Sequence, residues 1–384
     1  MPYFDNNATT PMLPQARAAW LAADEGAWQN PSSPYRSAAR AHRLLEDART
    51  RLAALMRTVP ERVVFNSGAT EANNAIMAWT ASVLPAGALA RVSSIEHPSM
   101  LASARKHFGS RLRAITVARD GRVAPAELDE AMRAGRTGLV AVMAANNETG
   151  VLNPVGEIAA VCQAHGATFV CDASQWIGRL PARDLPALAF LVGCAHKFGG
   201  PKGVGFVCFP EGAEGFRGML GGEHEHGHRA GTENLAAISA MMAALESGES
   251  HDAAARDERA SWRDACAAAV LEAIPGACVH GAGKQRLWNT LSLGLPRHEN
   301  TRWVARLDRL GFEVSTGSAC ATGSDAPSHV LAAMGVSAEQ ARRTIRISSG
   351  WTTTRADWRA LGRAIAEVWR ALESEAPGSA VIEI

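Results

Sequence analysis

Leu191-Val192-Gly193-Cys194-Ala195-His196-Lys197-Phe198-Gly199-Gly200-Pro201-Lys202-Gly203 joins an apolar run to a basic, glycine-rich turn. The run from Leu188 to Val192 predicts a strand, and Lys197 falls just past its end, where α/β folds place reactive groups. The chain carries four lysines, Lys106, Lys197, Lys202 and Lys284, against 35 arginines. Arginine stays protonated in a protein, whereas lysine can lose its proton and form a Schiff base. Two of the four lysines lie in this one stretch, which marks Lys197 as a candidate for that chemistry. The alternative is a surface lysine in a loop, and Lys202 is read as a structural residue of the turn.

The 384 residues are enough for one large domain and a smaller one. A 47% hydrophobic content is ordinary for a soluble α/β enzyme, and a net charge of +1 gives no nucleic-acid or membrane surface. The seven cysteines show no C-x-x-C spacing, which argues against a disulfide framework and against a zinc site. The N-terminal residues lack a basic region and an apolar core, and no apolar run approaches the ~20 residues of a membrane span. A cytoplasmic location is therefore expected.

Helical spacing is expected over 14–23 and 37–56. From residue 62 a βα rhythm sets in. Strands are expected at 62–66, 89–94, 112–117, 138–144, 167–171, 188–192 and 203–208, with helices at 69–83, 97–107, 125–134 and 155–165 between them. That alternation argues a mostly parallel sheet with helices on both faces. One long Ala-rich helix is expected from Asn234 to about Ala273. Beyond it come strands at 287–293, 312–314 and 342–348 and helices at 302–310 and 355–372. The expected organisation is a large domain over 15–255, and a small α+β domain formed by 1–14 and 256–384.

Polar or reactive groups recur at the expected strand ends: Ser67-Gly68-Ala69-Thr70, Glu96-His97, Asn146-Asn147, Asp172 with Gln175, and His196-Lys197. In a parallel sheet these share the carboxyl edge, where ligands bind. Gly68-Ala69-Thr70 opens a helix whose free N–H groups would cradle a phosphate, unless it is a plain helix start. Asp172 can pair with a cationic ring nitrogen, or merely cap the turn that follows. Gln175, one turn on, can bond a ring oxygen. His97 can stack on an aromatic ring, or cap its own helix. A phosphate cradle, a carboxylate for a ring nitrogen and a lysine together describe a site for pyridoxal phosphate.

These segments occur in order with Asp5-Asn6-Asn7-Ala8-Thr9-Thr10-Pro11, Asn30-Pro31-Ser32-Ser33, Arg229-Ala230-Gly231-Thr232-Glu233-Asn234 and Gly317-Ser318-Ala319-Cys320. As a set, from residue 3 to about Arg355, the chain resembles the cysteine desulfurases, a branch of the class V aminotransferase group. The resemblance implies the type I pyridoxal-phosphate fold and a homodimer with sites at the interface. Lys197 would hold the cofactor, Asp172 its ring nitrogen and Gln175 its ring oxygen, with His97 stacked on the ring. Ala69, Thr70 and His196 would hold the phosphate, joined by Thr232 from the neighbouring subunit. Asn147 and Arg346 would bind the substrate carboxylate.

By the same resemblance L-cysteine would be converted to L-alanine. Lys197 would move the Cα proton, and Cys320 would take the sulfur as a persulfide for a protein acceptor, such as an iron–sulfur scaffold. Cys320 lies in Ser315-Thr316-Gly317-Ser318-Ala319-Cys320-Ala321-Thr322-Gly323-Ser324, small and polar, and expected to be a mobile loop. Cys194 departs from the pattern: most relatives carry a serine there that bonds the phosphate, and a thiol is a weaker donor. His224-Glu225-His226-Gly227-His228 is also unusual. It is read as a loop that touches a sulfur-accepting partner, with a metal site as the alternative. The competing functions are a selenocysteine lyase or aminotransferase of the same fold, and an inactive scaffold for iron–sulfur assembly.

Overall fold

The computed structural model describes residues 2–317 and 327–375. It divides into two compact units. The larger comprises Thr9–Asn147 and Val151–Asp252, and the smaller Met1–Ala8, Glu148–Gly150 and Ala253 onward.

In the larger unit the helices are α1 (Pro14–Gly26), α2 (Arg36–Met56), α3 (Ala69–Val83), α4 (Pro98–Phe108), α5 (Pro125–Arg133), α6 (Val155–Ala164) and α7 (Leu235–Glu249). The strands are β1 (Val63–Asn66), β2 (Leu89–Ser93), β3 (Leu112–Ile115), β4 (Thr137–Ala141), β5 (Thr168–Asp172), β6 (Phe190–Cys194) and β7 (Gly205–Cys208). Among the described residues they form one sheet in the order β1-β7-β6-β5-β4-β2-β3. Strand β7 runs antiparallel to both β1 and β6, and the remaining pairs are parallel. The carboxyl ends of β1, β2, β4, β5 and β6 therefore share one edge.

Successive residues feed opposite faces, as the two-residue strand period requires. Val140, Phe169, Cys171 and Leu191 enter a core with α2, α6 and α7. Leu139, Val170, Phe190 and Val192 enter a second core with α3 and α4. Helix α2 buries Ala38, Ala41, Leu45, Ala48, Leu52 and Met56 at three- and four-residue steps, then stops at the left-handed Arg57.

The smaller unit contains α8 (Ala253–Ala273), β8 (Cys278–Val279), β9 (Thr290–Gly294), α9 (Asn300–Arg309), α10 (His329–Ala333), α11 (Ala338–Ala341), β10 (Thr344–Ser348) and α12 (Arg355–Ser374). Its strands pair antiparallel in the order β10-β9-β8 over a core that includes Phe4, Trp303 and Trp358. Thr354 and Asp357 close a reciprocal capping box at the start of α12.

Three expectations are corrected. The single helix over 234–273 is two, separated at Ser250-His251-Asp252. Gly248 packs where a Cβ would sit 2.8 Å from Gly178 Cα, and the Ser/Gly-rich end of α7 has little helix propensity to carry it on. Residues 312–314 form no strand: Glu313 makes an isolated bridge to Tyr3, and Ser315, just beyond, makes one to Arg346. The strand expected at 188–192 is Phe190–Cys194, two residues later. Among the described residues no helix is long and apolar enough to cross a membrane.

Candidate functional site

At the end of β1, Asn66 Oδ1 accepts the Gly68 N–H at 2.8 Å and turns the chain into α3. Gly68 has φ 141°, a region that favours glycine, and no side chain caps the helix. The turn is tightly enclosed. A Cβ on Gly205 of β7 would lie 2.7 Å from Gly68 Cα and 2.5 Å from Gly193 O. The opening N–H groups of α3 keep the partial positive charge of a helix N-terminus. Thr70 is exposed here, and Ala69 is half-buried with its N–H directed at the Cys194 sulfur. Burial pushes the Cys194 thiol up, with the Lys197 charge pulling the other way, so it remains a thiol. The Ser174 hydroxyl lies over that thiol, buried and without a hydrogen bond of normal geometry.

Lys197 sits on the hairpin between β6 and β7. Thr10 holds this hairpin: its N–H and hydroxyl donate to His196 O at 2.8 and 3.0 Å, and its Oγ1 accepts the Gly199 N–H at 2.7 Å. His196 is lowered to about 4, first by burial and then by the charges of Lys197, Lys202 and Arg179. Its ring is thus neutral near pH 7 and stands among three cations. Arg179 is buried and donates to Gln175 O at 3.2 Å. Gln175 is itself buried in the turn after β5.

Asp172 closes β5. Its Oδ1 accepts the Ser174 N–H at 3.0 Å and its Oδ2 accepts Asn73 Nδ2 at 3.0 Å. The Asn73 amide also reaches Ser99 Oγ at 3.0 Å, and Ser99 Oγ meets His97 Nδ1 at 2.8 Å. His97 caps α4 as well, accepting the Ser99 N–H at 3.2 Å. One chain of side chains therefore links β5, α3 and α4. Beside it, Glu96 is fully buried and accepts the Met143 N–H at 2.6 Å. Burial raises its carboxyl to about 8, and the charge of Asp172 adds to the rise. Asn147 follows the end of β4, half-buried.

An uncapped helix start, three cations and a buried hydroxyl suit an anion such as a phosphate. A hydrogen-bonded carboxylate on the same edge suits a cationic ring nitrogen. This donor set fits pyridoxal phosphate. Thr232 stands apart, exposed in a cleft of about 170 Å³ with Ser67, Arg229 and Glu233. In the smaller unit Arg346 is buried on β10. It donates to Asp5 Oδ1 at 2.6 Å and to Gly317 O at 3.2 Å. Cys320 lies outside the described residues.

The histidine-rich loop has a different use for each ring. His224 pairs with Glu233 at 3.0 Å, His228 with Phe216 O at 2.7 Å, and His226 lies 3.9 Å from Glu46. Glu225 is buried against Arg49 at 2.7 and 3.0 Å and accepts the Phe65 N–H. Among the described residues no His, Cys, Asp or Glu group has the arrangement of a metal site. Asn73, Ser99, Arg179 and Thr10 were not singled out from the sequence. The one available signal was Asn73, a buried-face position one turn after Thr70.

The class-V aminotransferase family model matches residues 2–361. A protein named cysteine desulfurase from Klebsiella pneumoniae is 36% identical over 353 residues, 90% of this chain and 87% of that one. A solved NifS-like protein superposes with a TM-score of 0.87 at 27% identity, covering 96% of this chain and 99% of its own. A structure described as SspA in complex with cysteine has a TM-score of 0.79 at 27% identity, covering 92% and 100%.

Proposed function

The chain belongs to the class-V aminotransferase family, and from that premise we propose that it is a pyridoxal-phosphate-dependent cysteine desulfurase. The observation that carries the reading is the single sheet edge holding both the cationic cradle around His196 and the Asp172–Asn73–Ser99–His97 chain.

The α3 N-terminus, Ser174, His196 and the neighbouring cations would hold the phosphate. Asp172 would pair with the ring nitrogen, Gln175 with the ring oxygen, and His97 would lie against the ring. Lys197 is the attachment point. When bound, the cofactor supplies an electron sink for the pair left at a substrate Cα. The residues do the rest. Asn147 and Arg346 bind the carboxylate of L-cysteine. Lys197, as a free amine, takes the Cα proton. The Cys320 thiolate attacks the substrate sulfur, forming an S–S bond as the Cβ–S bond breaks. L-cysteine and a thiol thus become L-alanine and a persulfide, which a protein acceptor relieves of its outer sulfur. Thr232, exposed on its own chain, is assigned to the phosphate of a second copy in a homodimer.

The test is Cys320→Ser. It should keep the cofactor's visible absorbance and lose sulfur release from L-cysteine. Unchanged sulfide production would remove Cys320 from the reaction. A strong preference for selenocysteine over cysteine would move the assignment to a selenocysteine lyase.

A further inference from the structure

Helices α8 and α12 of the smaller unit lie close together, so close that a Cβ on Gly362 would come 3.4 Å from Cys266 Sγ. Between them runs an open groove of about 480 Å³. Its floor is apolar, formed by Trp262, Ala265, Cys266, Ala269, Trp358 and Gly362. Trp262 is fixed from one side by Arg259, whose guanidinium stacks on it at 5.3 Å and donates to Trp351 O at 3.0 Å.

Arg355, Arg359 and Arg363 edge the groove, all exposed, at four-residue steps along α12. No carboxylate lines the groove, and among the described residues none of the three makes an ion pair. Some arginines elsewhere in the same unit do, such as Arg297 with Glu373, Arg302 and Arg306 with Glu375, and Arg343 with Glu339. Glu367, one turn beyond Arg363, ends the basic row. The row is set apart by its regular spacing along one edge of an exposed apolar floor that no carboxylate lines.

We propose that this groove docks an amphipathic helix of a partner protein, with aliphatic side chains on one face and carboxylates along one edge. The spacing selects that occupant. The arginines recur every ~6 Å of helix axis, the interval at which carboxylates at i, i+4 and i+8 recur on a facing helix. The small residues Ala265, Ala269 and Gly362 leave room for the partner's aliphatic face. The apolar floor supplies the contact area, and the cationic rim sets orientation and excludes basic partners. This site is independent of the pyridoxal phosphate chemistry.

The experiment uses the full-length holoenzyme and a labelled synthetic helix with leucines on one face and glutamates at i, i+4 and i+8 on its edge. A matched peptide carries lysines in place of the glutamates. Fluorescence anisotropy should show binding of the glutamate peptide, weaker by several-fold when salt rises from about 50 to about 300 mM, and none of the lysine peptide. Replacing Arg355, Arg359 and Arg363 together by Ala should weaken binding at least ~10-fold. Ala265→Glu, which puts a negative charge on the groove floor, should do the same. Desulfurase activity should stay unchanged in both. Equal binding of the two peptides, or binding untouched by both variants, overturns the proposal. So does no binding at ~1 mM peptide, or Arg-dependent sedimentation with phosphatidylserine vesicles in its place.

Discussion

Asn73 Nδ2 donates to Asp172 Oδ2 at 3.0 Å, and both side chains are buried. Asn73 is the only described side chain seen to donate to this carboxylate. Its own position is set by Ser99, and through Ser99 by the cap of α4. Asn73→Ala should therefore weaken pyridoxal phosphate retention by about tenfold, the worth of one hydrogen bond to a charged group. Asn73→Asp, which faces one carboxylate with another, should weaken it further. Titration of the apoprotein with cofactor measures both; unchanged affinity in the two variants would detach Asn73 from the site.

Cys194 lies beside the Ala69 N–H and the Ser174 hydroxyl at the start of α3. A hydroxyl is a better donor than a thiol. Cys194→Ser should slow cofactor loss by roughly two- to tenfold, within the range of one neutral hydrogen bond. Following the visible absorbance on dilution into apo-trapping conditions gives the rate. Faster loss would show that the thiol contributes by packing.

Glu96 gives a pH prediction with a definite sign. Its carboxyl is raised from 4.5 to about 8, chiefly by burial. The folded protein keeps a proton that the unfolded chain releases above about 4.5. The stability linked to that proton is complete at low pH and is lost as pH climbs toward 8, at up to ~1.4 kcal/mol per pH unit. Glu96→Gln removes the titration. Its stability relative to the parent should rise steadily from pH 5 to about 8 in urea unfolding. His196, lowered to about 4, acts in the opposite sense: its contribution falls as pH drops from 6.5 toward 4. A parent-to-variant difference that is flat with pH would mean that Glu96 is charged throughout.

Arg49 and Glu225 form an ion pair with each side chain 1% exposed. Glu225 and His226 both have positive φ, at 51° and 54°, so the pair also holds a strained turn. Glu225→Ala strands a buried guanidinium and leaves the Phe65 N–H without its acceptor. Unfolding free energy should drop by about 3 to 5 kcal/mol. A loss under about 1 kcal/mol would place the pair among weak surface contacts.

The sheet edge was legible in the sequence because buried parallel strands read as short apolar runs with polar residues where they stop. Asp172, Lys197 and His97 fall at such stops, and the strands behind them do share one edge. The polar groups that orient them were not legible. Asn73 and Ser99 sit within helices and Arg179 in a turn, and each finds its partner only through space. Thr10 acts across nearly two hundred residues on His196 and Gly199. The interruption between α7 and α8 was hidden by alanine-rich periodicity on both sides of Ser250-His251-Asp252. The histidine loop drew notice as a possible metal cluster. Its buried Glu225, which anchors it to Arg49, carried no sequence signal.

The most direct measurement is product analysis after incubation of the purified holoenzyme with L-cysteine and a thiol reductant. Alanine and sulfide should appear in equal amounts, and Lys197→Ala should form neither above background. No alanine from the parent protein, or an equal rate from Lys197→Ala, would contradict the assignment of a desulfurase built around Lys197.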